Sequence, residues 1–244
     1  MLLKLQNLEI GYPGQKLAGP LSWEIPQGLR LGIIGGNGAG KSSFVKTLLG
    51  IVPPLSGSFH WANNIQFTYV PQEHQMDKLF PLSVEDILKM GSLNQLSHFK
   101  FTSKQFEKKA GELLEIMELQ NFRKKLLREL SGGQRQRALI ARALMCEPEV
   151  LIMDEPHNSL DHQFREKIWN ILEELRKTRS FSWMVIDHDL NRILTQIDWI
   201  CLMGQGKAFC GPVAEILNER ILTEAYGEPV HVHEENGRFQ IHFL

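Results

Sequence analysis

The chain has 244 residues, 43% of them hydrophobic, and its 27 basic against 28 acidic side chains give a net charge of −1. This length and composition suit one domain with a modest subdomain, and the charge excludes a global basic field that would recruit nucleic acid. No apolar run approaches the roughly 18–20 residues of a membrane span, and no signal-peptide hydrophobic region precedes the first strand. We therefore expect a soluble, cytoplasmic chain.

The first predicted elements are strands that lead into a glycine-rich loop. Alternating residues predict a strand from Leu2 to Ile10, and turn residues 11–14 end it. A second strand is predicted over Leu21–Ile25. An apolar run at 29–34 and a helix over Lys41–Leu49 then flank the loop, whose residues are Gly35, Gly36, Asn37, Gly38, Ala39, Gly40, Lys41 and Ser42.

This loop has the composition of a phosphate-binding loop. Its glycines let backbone N–H groups approach phosphate oxygens without Cβ clashes. Lys41 would place a charge beside the β- and γ-phosphates, and the Ser42 hydroxyl can ligate Mg²⁺. The positive end of the following helix points at the same anion. The sequence therefore predicts a nucleoside triphosphate bound with Mg²⁺.

A helical segment follows a third strand, which is predicted over Phe67–Val70. Ser83 is predicted to cap a helix over Val84–Met90, and Ser103 to open one over Lys104–Leu119. A further helix, Arg135–Met145, comes directly after Leu130, Ser131, Gly132, Gly133 and Gln134. A serine cap and two glycines at a helix start predict a second anion site. Because each chain is expected to bind one nucleotide at its own phosphate loop, the second site would serve the γ-phosphate of another subunit.

The remaining elements alternate between strands and helices. A continuous apolar strand, Val150–Met153, ends in Asp154 and Glu155. The pattern then predicts a helix over 162–177, and strands at 183–186, 199–203 and 207–210, with a small appendage at 222–244. Strands that alternate with helices indicate an α/β fold with a parallel sheet.

With its phosphate loop and its Leu-Ser-Gly-Gly-Gln sequence, the chain resembles the ATP-binding cassette (ABC) ATPases, and the resemblance covers nearly its whole length. It implies a P-loop NTPase ABC fold with a RecA-like parallel sheet core, an antiparallel β subdomain and an inserted α-helical subdomain. The expected single ABC domain has its catalytic core at 1–72 and 146–221, its helical subdomain at 73–145 and an appendage at 222–244.

The resemblance also assigns roles to individual residues. Asp154, with Ser42 and Gln72, is expected to hold Mg²⁺, since a hard cation prefers oxygen ligands. Gln72 is also expected to act in catalysis by sensing the attacking water, while its loop touches the membrane partner. Glu155 is expected to orient and deprotonate the attacking water, while His188 contacts the γ-phosphate. Within one chain, ATP is expected to contact Tyr12 at the adenine and residues 35–43, including Ser43, at the phosphates. Across a head-to-tail homodimer, the other subunit is expected to contribute Ser131, Gly132, Gly133, Gln134 and, from the Asn158–Asp161 loop, Asp161.

Three classes of cassette remain open, namely a transporter subunit, a DNA repair or chromosome protein, and a ribosome or iron–sulfur assembly factor. The short segment between Gln72 and Ser131 and the lack of basic patches favour a transporter ATPase. Its expected partners are a separate membrane-spanning permease and an extracytoplasmic substrate-binding protein, but no nucleic acid. It would then lie at the cytoplasmic face of the inner (plasma) membrane.

The cargo is indicated by one segment only. Residues 80–87, followed by Met90 and Gly91, are similar to a segment of zinc, manganese or iron-chelate importers, although an ordinary serine-capped helix start has the same pattern. We expect metal-ion import, with vitamin B12, haem or siderophore import as the alternative. His231 and His233 share one face of a possible strand, which leaves open either regulatory metal binding or a solvated face.

Overall fold

The computed structural model describes residues 1–72, 81–93, 102–157, 160–235 and 238–243. These residues form two units, one of residues 1–65 and 179–244 and the other of residues 66–178. In chain order the elements are β1 (Leu3–Tyr12), β2 (Gln15–Ile25), β3 (Arg30–Gly35), α1 (Lys41–Leu48), β4 (Ser56–Trp61), β5 (Phe67–Val70), α2 (Val84–Leu93), α3 (Ser103–Ile116), α4 (Gly132–Met145), β6 (Val150–Asp154), α5 (His162–Thr178), β7 (Ser182–Asp187), α6 (Leu190–Ile193), β8 (Trp199–Gly204), β9 (Lys207–Pro212), α7 (Val213–Ile216), α8 (Glu219–Tyr226), β10 (Val230–Glu235) and β11 (Arg238–Phe243).

The first unit contains an antiparallel sheet in the order β2-β1-β4. Buried leucines and isoleucine on β1 follow the predicted alternation, except that the register shifts between Leu5 and Leu8. Asn7, at φ +48°, lies in this shift, and asparagine tolerates a positive φ better than most residues. β1 also continues beyond the predicted turn start, because Gly11 and Tyr12 still pair with residues of β2.

Four further strands of the same unit follow the order β7-β3-β8-β9. β3 is parallel to β7 and to β8, and β9 returns antiparallel to β8. All six residues of β7 are buried, as expected for a strand that is covered on both faces. Because the strands are parallel, the carboxyl ends of β3 and β7 lie at one edge.

The second unit combines a parallel strand pair with helices. β5 pairs with β6 in the register Phe67 to Val150 through Val70 to Met153, as the apolar patterns predicted. The predicted opening of the second helix at Ser103 needs a correction, because the N-cap is Thr102. The Thr102 hydroxyl accepts from the Gln105 N–H and the Gln105 side chain accepts from the Thr102 N–H, a reciprocal pairing that Ser103 does not make.

The predicted C-terminal appendage is a short helix followed by a hairpin. Asn191 of α6 holds β11, since its side-chain amide donates to the Ile241 carbonyl (3.2 Å) and accepts from the Ile241 N–H (3.0 Å). Glu219 of α8 holds β10 by accepting from the Val232 N–H (3.2 Å). The predicted α/β class is confirmed, whereas the boundary of the helical subdomain at residue 73 lies outside the described residues.

Candidate nucleotide-binding site

The glycine-rich loop connects the buried strand β3 to α1. Lys41 is buried and its ammonium donates to the carbonyls of Gly35 (2.7 Å) and Gly36 (2.9 Å), so the side chain folds back over the loop. Gly40, at φ +94°, is the N-cap of α1 and brings no side chain to its first N–H groups. Those N–H groups are the natural partners of an anion at the start of the helix.

The loop glycines have two different surroundings. A Cβ on Gly35 would lie 2.1 Å from the backbone oxygen of Met203, so any side chain there collides with β8. Gly36 and Gly38 are exposed, and a Cβ on either would meet no described atom within 4 Å. The loop is therefore pressed against the sheet at its start and open at its middle. An open loop of backbone N–H groups with a lysine beside it fits a polyphosphate.

A cavity of about 340 Å³ adjoins this open side. Residues 36–39 of the loop line it, together with Lys16 and Leu17 of β2 and Gln205 and Tyr226. Tyr12 ends β1, four residues before Lys16 of the cavity wall. Its ring is half-exposed, and its hydroxyl lies 3.3 Å from that of Ser43 in α1. The volume lies within the usual range of small-molecule sites.

His188 follows β7 at the same edge as the loop, because Asp187 pairs with Ile34 of β3. Its imidazole is 45% exposed, with Nδ1 3.6 Å from the Asp187 carboxylate. Asp187 is fully buried, which raises the pKa of its carboxyl, and it accepts from the Asp189 N–H (2.9 Å). The imidazole is therefore accessible to solvent, and the residue before it, Asp187, is held by its hydrogen bond from the Asp189 N–H.

The second unit holds the two adjacent acids at the end of β6. Asp154 is buried and accepts from the Tyr69 hydroxyl (3.0 Å). Burial, and then the charge of Asp154, raises the pKa of the Tyr69 hydroxyl. Glu155 has φ +44° and accepts from the Gln72 side-chain amide (2.8 Å). The residues at the end of β5 thus hold both carboxylates.

The remaining predicted site residues lie at two helix starts of this unit. Ser131 is the N-cap of α4, and its hydroxyl accepts from the Gln134 N–H (3.3 Å) while the Gln134 side chain accepts from the Ser131 N–H (3.0 Å). Gly132 and Gly133 form the first turn. Asp161 precedes α5 and accepts from the Phe164 N–H (2.9 Å). The other two residues of that predicted loop, 158 and 159, lie outside the described residues.

The structure therefore assembles the predicted residues in groups. In the first unit it gathers the loop, Tyr12 and His188, and in the second Gln72, Asp154 and Glu155. Sequence reasoning missed Tyr69 and the cavity residue Gln205. No sequence signal marks Tyr69 as a partner of Asp154, because that contact depends on the register between β5 and β6.

The donors predicted for Mg²⁺ are a hydroxyl, an amide and a carboxylate, all of them oxygen ligands that suit a hard cation. Within residues 1–72, 81–93, 102–157, 160–235 and 238–243, no group of three or more His, Cys, Asp or Glu side chains is arranged to hold a metal ion. In the described part of the chain no helix is both long and apolar enough to span a membrane.

Comparison with known proteins gives the family. The ABC transporter family pattern matches residues 18–158. The chain is 32% identical to the manganese transport system ATP-binding protein MntB of Bacillus subtilis (strain 168), over 92% of each chain. It is also 32% identical to the zinc import ATP-binding protein ZnuC of Wolbachia sp. subsp. Brugia malayi (strain TRS), over 92% of this chain and 89% of that one.

A solved structure has the same fold. It is described as an inward-facing conformation of a metal-chelate type ABC transporter, and it superposes with a TM-score of 0.83 at 27% identity, covering 100% of this chain and 96% of that one. The predicted ABC fold is confirmed, and with it the resemblance on which the site predictions were based. Cassettes of this kind bind ATP, and membership implies ATPase activity. The chain belongs to the ABC transporter family, as one of its ATP-binding cassettes.

Proposed function

We propose that this chain is the ATP-hydrolysing subunit of a transporter that imports a divalent metal ion, manganese or zinc, through a separate membrane-spanning subunit. The observation that carries the enzymatic part is the pair of held acids, Asp154 and Glu155, in a chain that also has a phosphate loop. The cargo follows from the relatives, since cassettes 32% identical over most of this chain are named for manganese transport and zinc import.

In this proposal the loop residues bind the phosphates. Backbone N–H groups within residues 35–43 and the Lys41 ammonium would face the β- and γ-phosphates, and Tyr12 would stack against the adenine. Ser42, Gln72 and Asp154 would hold Mg²⁺, which would supply positive charge to neutralise the phosphate oxygens. The fold-back of Lys41 onto Gly35 and Gly36 supports this role, because it keeps the ammonium at the loop.

Glu155 is the proposed general base. Its carboxylate would orient a water molecule toward the γ-phosphate and take its proton, while Gln72 keeps the carboxylate in place. The positive φ of Glu155 supports this assignment, because a non-glycine residue in that conformation costs free energy that functional sites commonly retain. His188 would donate a hydrogen bond to the γ-phosphate from its exposed imidazole.

Two copies would complete each site. Ser131, Gly132, Gly133 and Gln134 form a helix start, exposed at Ser131 and half-buried at the other three, where a second copy's γ-phosphate could dock, and Asp161 would lie at the same interface. ATP binding then closes a homodimer and hydrolysis opens it, which moves the permease. An extracytoplasmic substrate-binding protein would deliver the ion, and the cassette would sit peripherally on the cytoplasmic face of the inner membrane.

A second candidate cargo is a metal chelate, such as a siderophore, haem or vitamin B12. The metal-chelate type transporter that superposes with a TM-score of 0.83 favours it. The deciding experiment reconstitutes the cassette with its membrane partner in vesicles, adds the substrate-binding protein of the same system, and measures ATPase stimulation and uptake with Mn²⁺, Zn²⁺ and a ferric siderophore. Stimulation by Mn²⁺ or Zn²⁺ alone supports the proposal, and stimulation by the siderophore alone transfers it to the second candidate. An ATPase that ignores every cargo and the permease would refute both.

A further inference from the structure

Tyr69 reaches Asp154 from the neighbouring parallel strand. Tyr69 of β5 pairs with Ile152 of β6, two residues before Asp154. Two residues advance a strand by about 6.6 Å, so the tyrosine ring extends along the strand direction to bring its hydroxyl to the carboxylate. The hydroxyl donates to Asp154 Oδ2 at 3.0 Å.

The backbone of Tyr69 is itself fixed by α4. Arg142 of α4 donates from Nη2 to the Tyr69 carbonyl at 3.1 Å, and the neighbouring Thr68 hydroxyl donates to the Ala143 carbonyl at 3.4 Å. Burial lowers the pKa of the Arg142 guanidinium, as expected for a charge removed from water. Arg142 therefore holds the backbone of Tyr69 directly, whereas the Thr68 contact is longer and does not involve the tyrosine itself.

A buried carboxylate needs donors, because an ionised oxygen without hydrogen bonds is costly away from water. Carboxylates that ligate metals are commonly oriented in this way by residues that do not touch the metal. We propose that Tyr69 is a positioning residue, whose hydroxyl fixes the rotation of the Asp154 carboxylate so that it is preorganised for a divalent cation. This inference rests on the proposed role of Asp154 in cation binding.

The test removes only the hydroxyl. Tyr69→Phe keeps the ring and its packing, and Thr68→Val is the matched control, since it removes the neighbouring buried hydroxyl of the same strand. Mn²⁺ binding in the presence of ADP is measured by electron paramagnetic resonance, and ADP affinity is measured separately in EDTA. We expect Tyr69→Phe to weaken Mn²⁺ binding about 10-fold, the lower end for losing an outer-shell partner. ADP affinity in EDTA stays unchanged, and Thr68→Val leaves both affinities as they are.

Asp154→Asn tests the positioning role of Tyr69 separately from the proposed role of Asp154 as a cation ligand. If Asp154→Asn binds Mn²⁺ like the wild type, Asp154 is not a cation ligand and the proposed function loses that residue. If Asp154→Asn weakens binding but Tyr69→Phe does not, only the positioning role is overturned. The double variant gives an independent result that does not depend on the size of either effect. An affinity equal to that of Asp154→Asn supports positioning through Asp154, whereas independent, multiplicative losses contradict it.

Unaltered ADP affinity in EDTA also shows that each variant is folded. A Tyr69→Phe variant that loses ADP affinity without any divalent cation present would show that the residue acts on the fold as a whole, which contradicts the inference.

Discussion

Two glycines inside helices of the second unit predict opposite responses to the same substitution. Gly111 lies in α3 on the exposed surface, and a Cβ there would meet no described atom within 4 Å. Gly91 lies in α2, where a Cβ would be 2.4 Å from the Arg142 carbonyl oxygen and 3.0 Å from Met145 Cβ. Both neighbours belong to α4, so at Gly91 the two helices lie too close together to admit a methyl group.

The expected magnitudes follow from two opposing terms. Alanine in a helix interior is favoured over glycine by about 0.5–1 kcal/mol, and this gain applies at both positions. At Gly91 a carbonyl oxygen of the α4 backbone blocks the methyl group and cannot rotate away, so overpacking costs about 1–3 kcal/mol. We therefore expect Gly111→Ala to stabilise the protein by about 0.5–1 kcal/mol, and Gly91→Ala to destabilise it by about 1 kcal/mol and at most about 2.5 kcal/mol, which is the overpacking cost less the helix gain.

The assay is equilibrium unfolding in urea, followed by tryptophan fluorescence and by circular dichroism, with the two variants and the wild type in one buffer. In a chain of this size each kcal/mol shifts the melting temperature by about 2–4 °C, so thermal scans give a second measurement. The pair is its own control, because both substitutions add the same methyl group to a helix. A Gly91→Ala variant as stable as Gly111→Ala would refute the close approach of α2 and α4.

Three further predictions concern the acids, the C-terminal hairpin and a helix cap. Glu155→Gln should keep ATP binding but lower steady-state turnover roughly 10²–10⁴-fold, and an unaltered rate would remove Glu155 as the base. Asn191→Ala should cost about 1 kcal/mol and speed amide hydrogen exchange in β11, whereas unchanged exchange at Ile241 would contradict the anchoring role. Hydrogen bonds from Ser83 lower the pKa of Asp86 below its ordinary value of 3.8. The ionised Asp86 carboxylate therefore stabilises the folded protein above pH 3.8, and this stabilisation is lost as the pH falls through the lowered pKa. Asp86→Asn should therefore destabilise the protein at pH 7 by about 0.5–1 kcal/mol, with a difference from the wild type that shrinks toward pH 3; a constant difference would exclude the ionised cap.

The sequence predicted those features that depend on neighbours along the chain. The helix predicted over Arg135–Met145 and the strand predicted over Val150–Met153 are both present, because caps and apolar runs are local signals, although the helix begins earlier, at Gly132, and the strand extends to Asp154. Thr102 and Ser103 are both good N-caps, but Gln105 follows Thr102 at the three-residue spacing of a capping box, a local signal that the prediction of Ser103 did not use. β4 was missed because its sequence, Ser-Gly-Ser-Phe-His-Trp, lacks a clear alternation, and its pairing with the distant β1 sustains it.

Pairing between distant segments also decides how the two acids are held. Asp154 and Glu155 are consecutive, so in an extended strand their side chains would point to opposite sides. β6 ends at Asp154, and the backbone turns to φ +44° at Glu155, a conformation that a non-glycine residue keeps only when its surroundings compensate for it. The compensation is visible in the donors, since Tyr69 bonds the first acid and Gln72, three residues later, bonds the second. One short segment at the end of β5, residues 69–72, therefore sets the direction of both carboxylates, and a displacement of that segment would alter the cation ligand and the proposed base together.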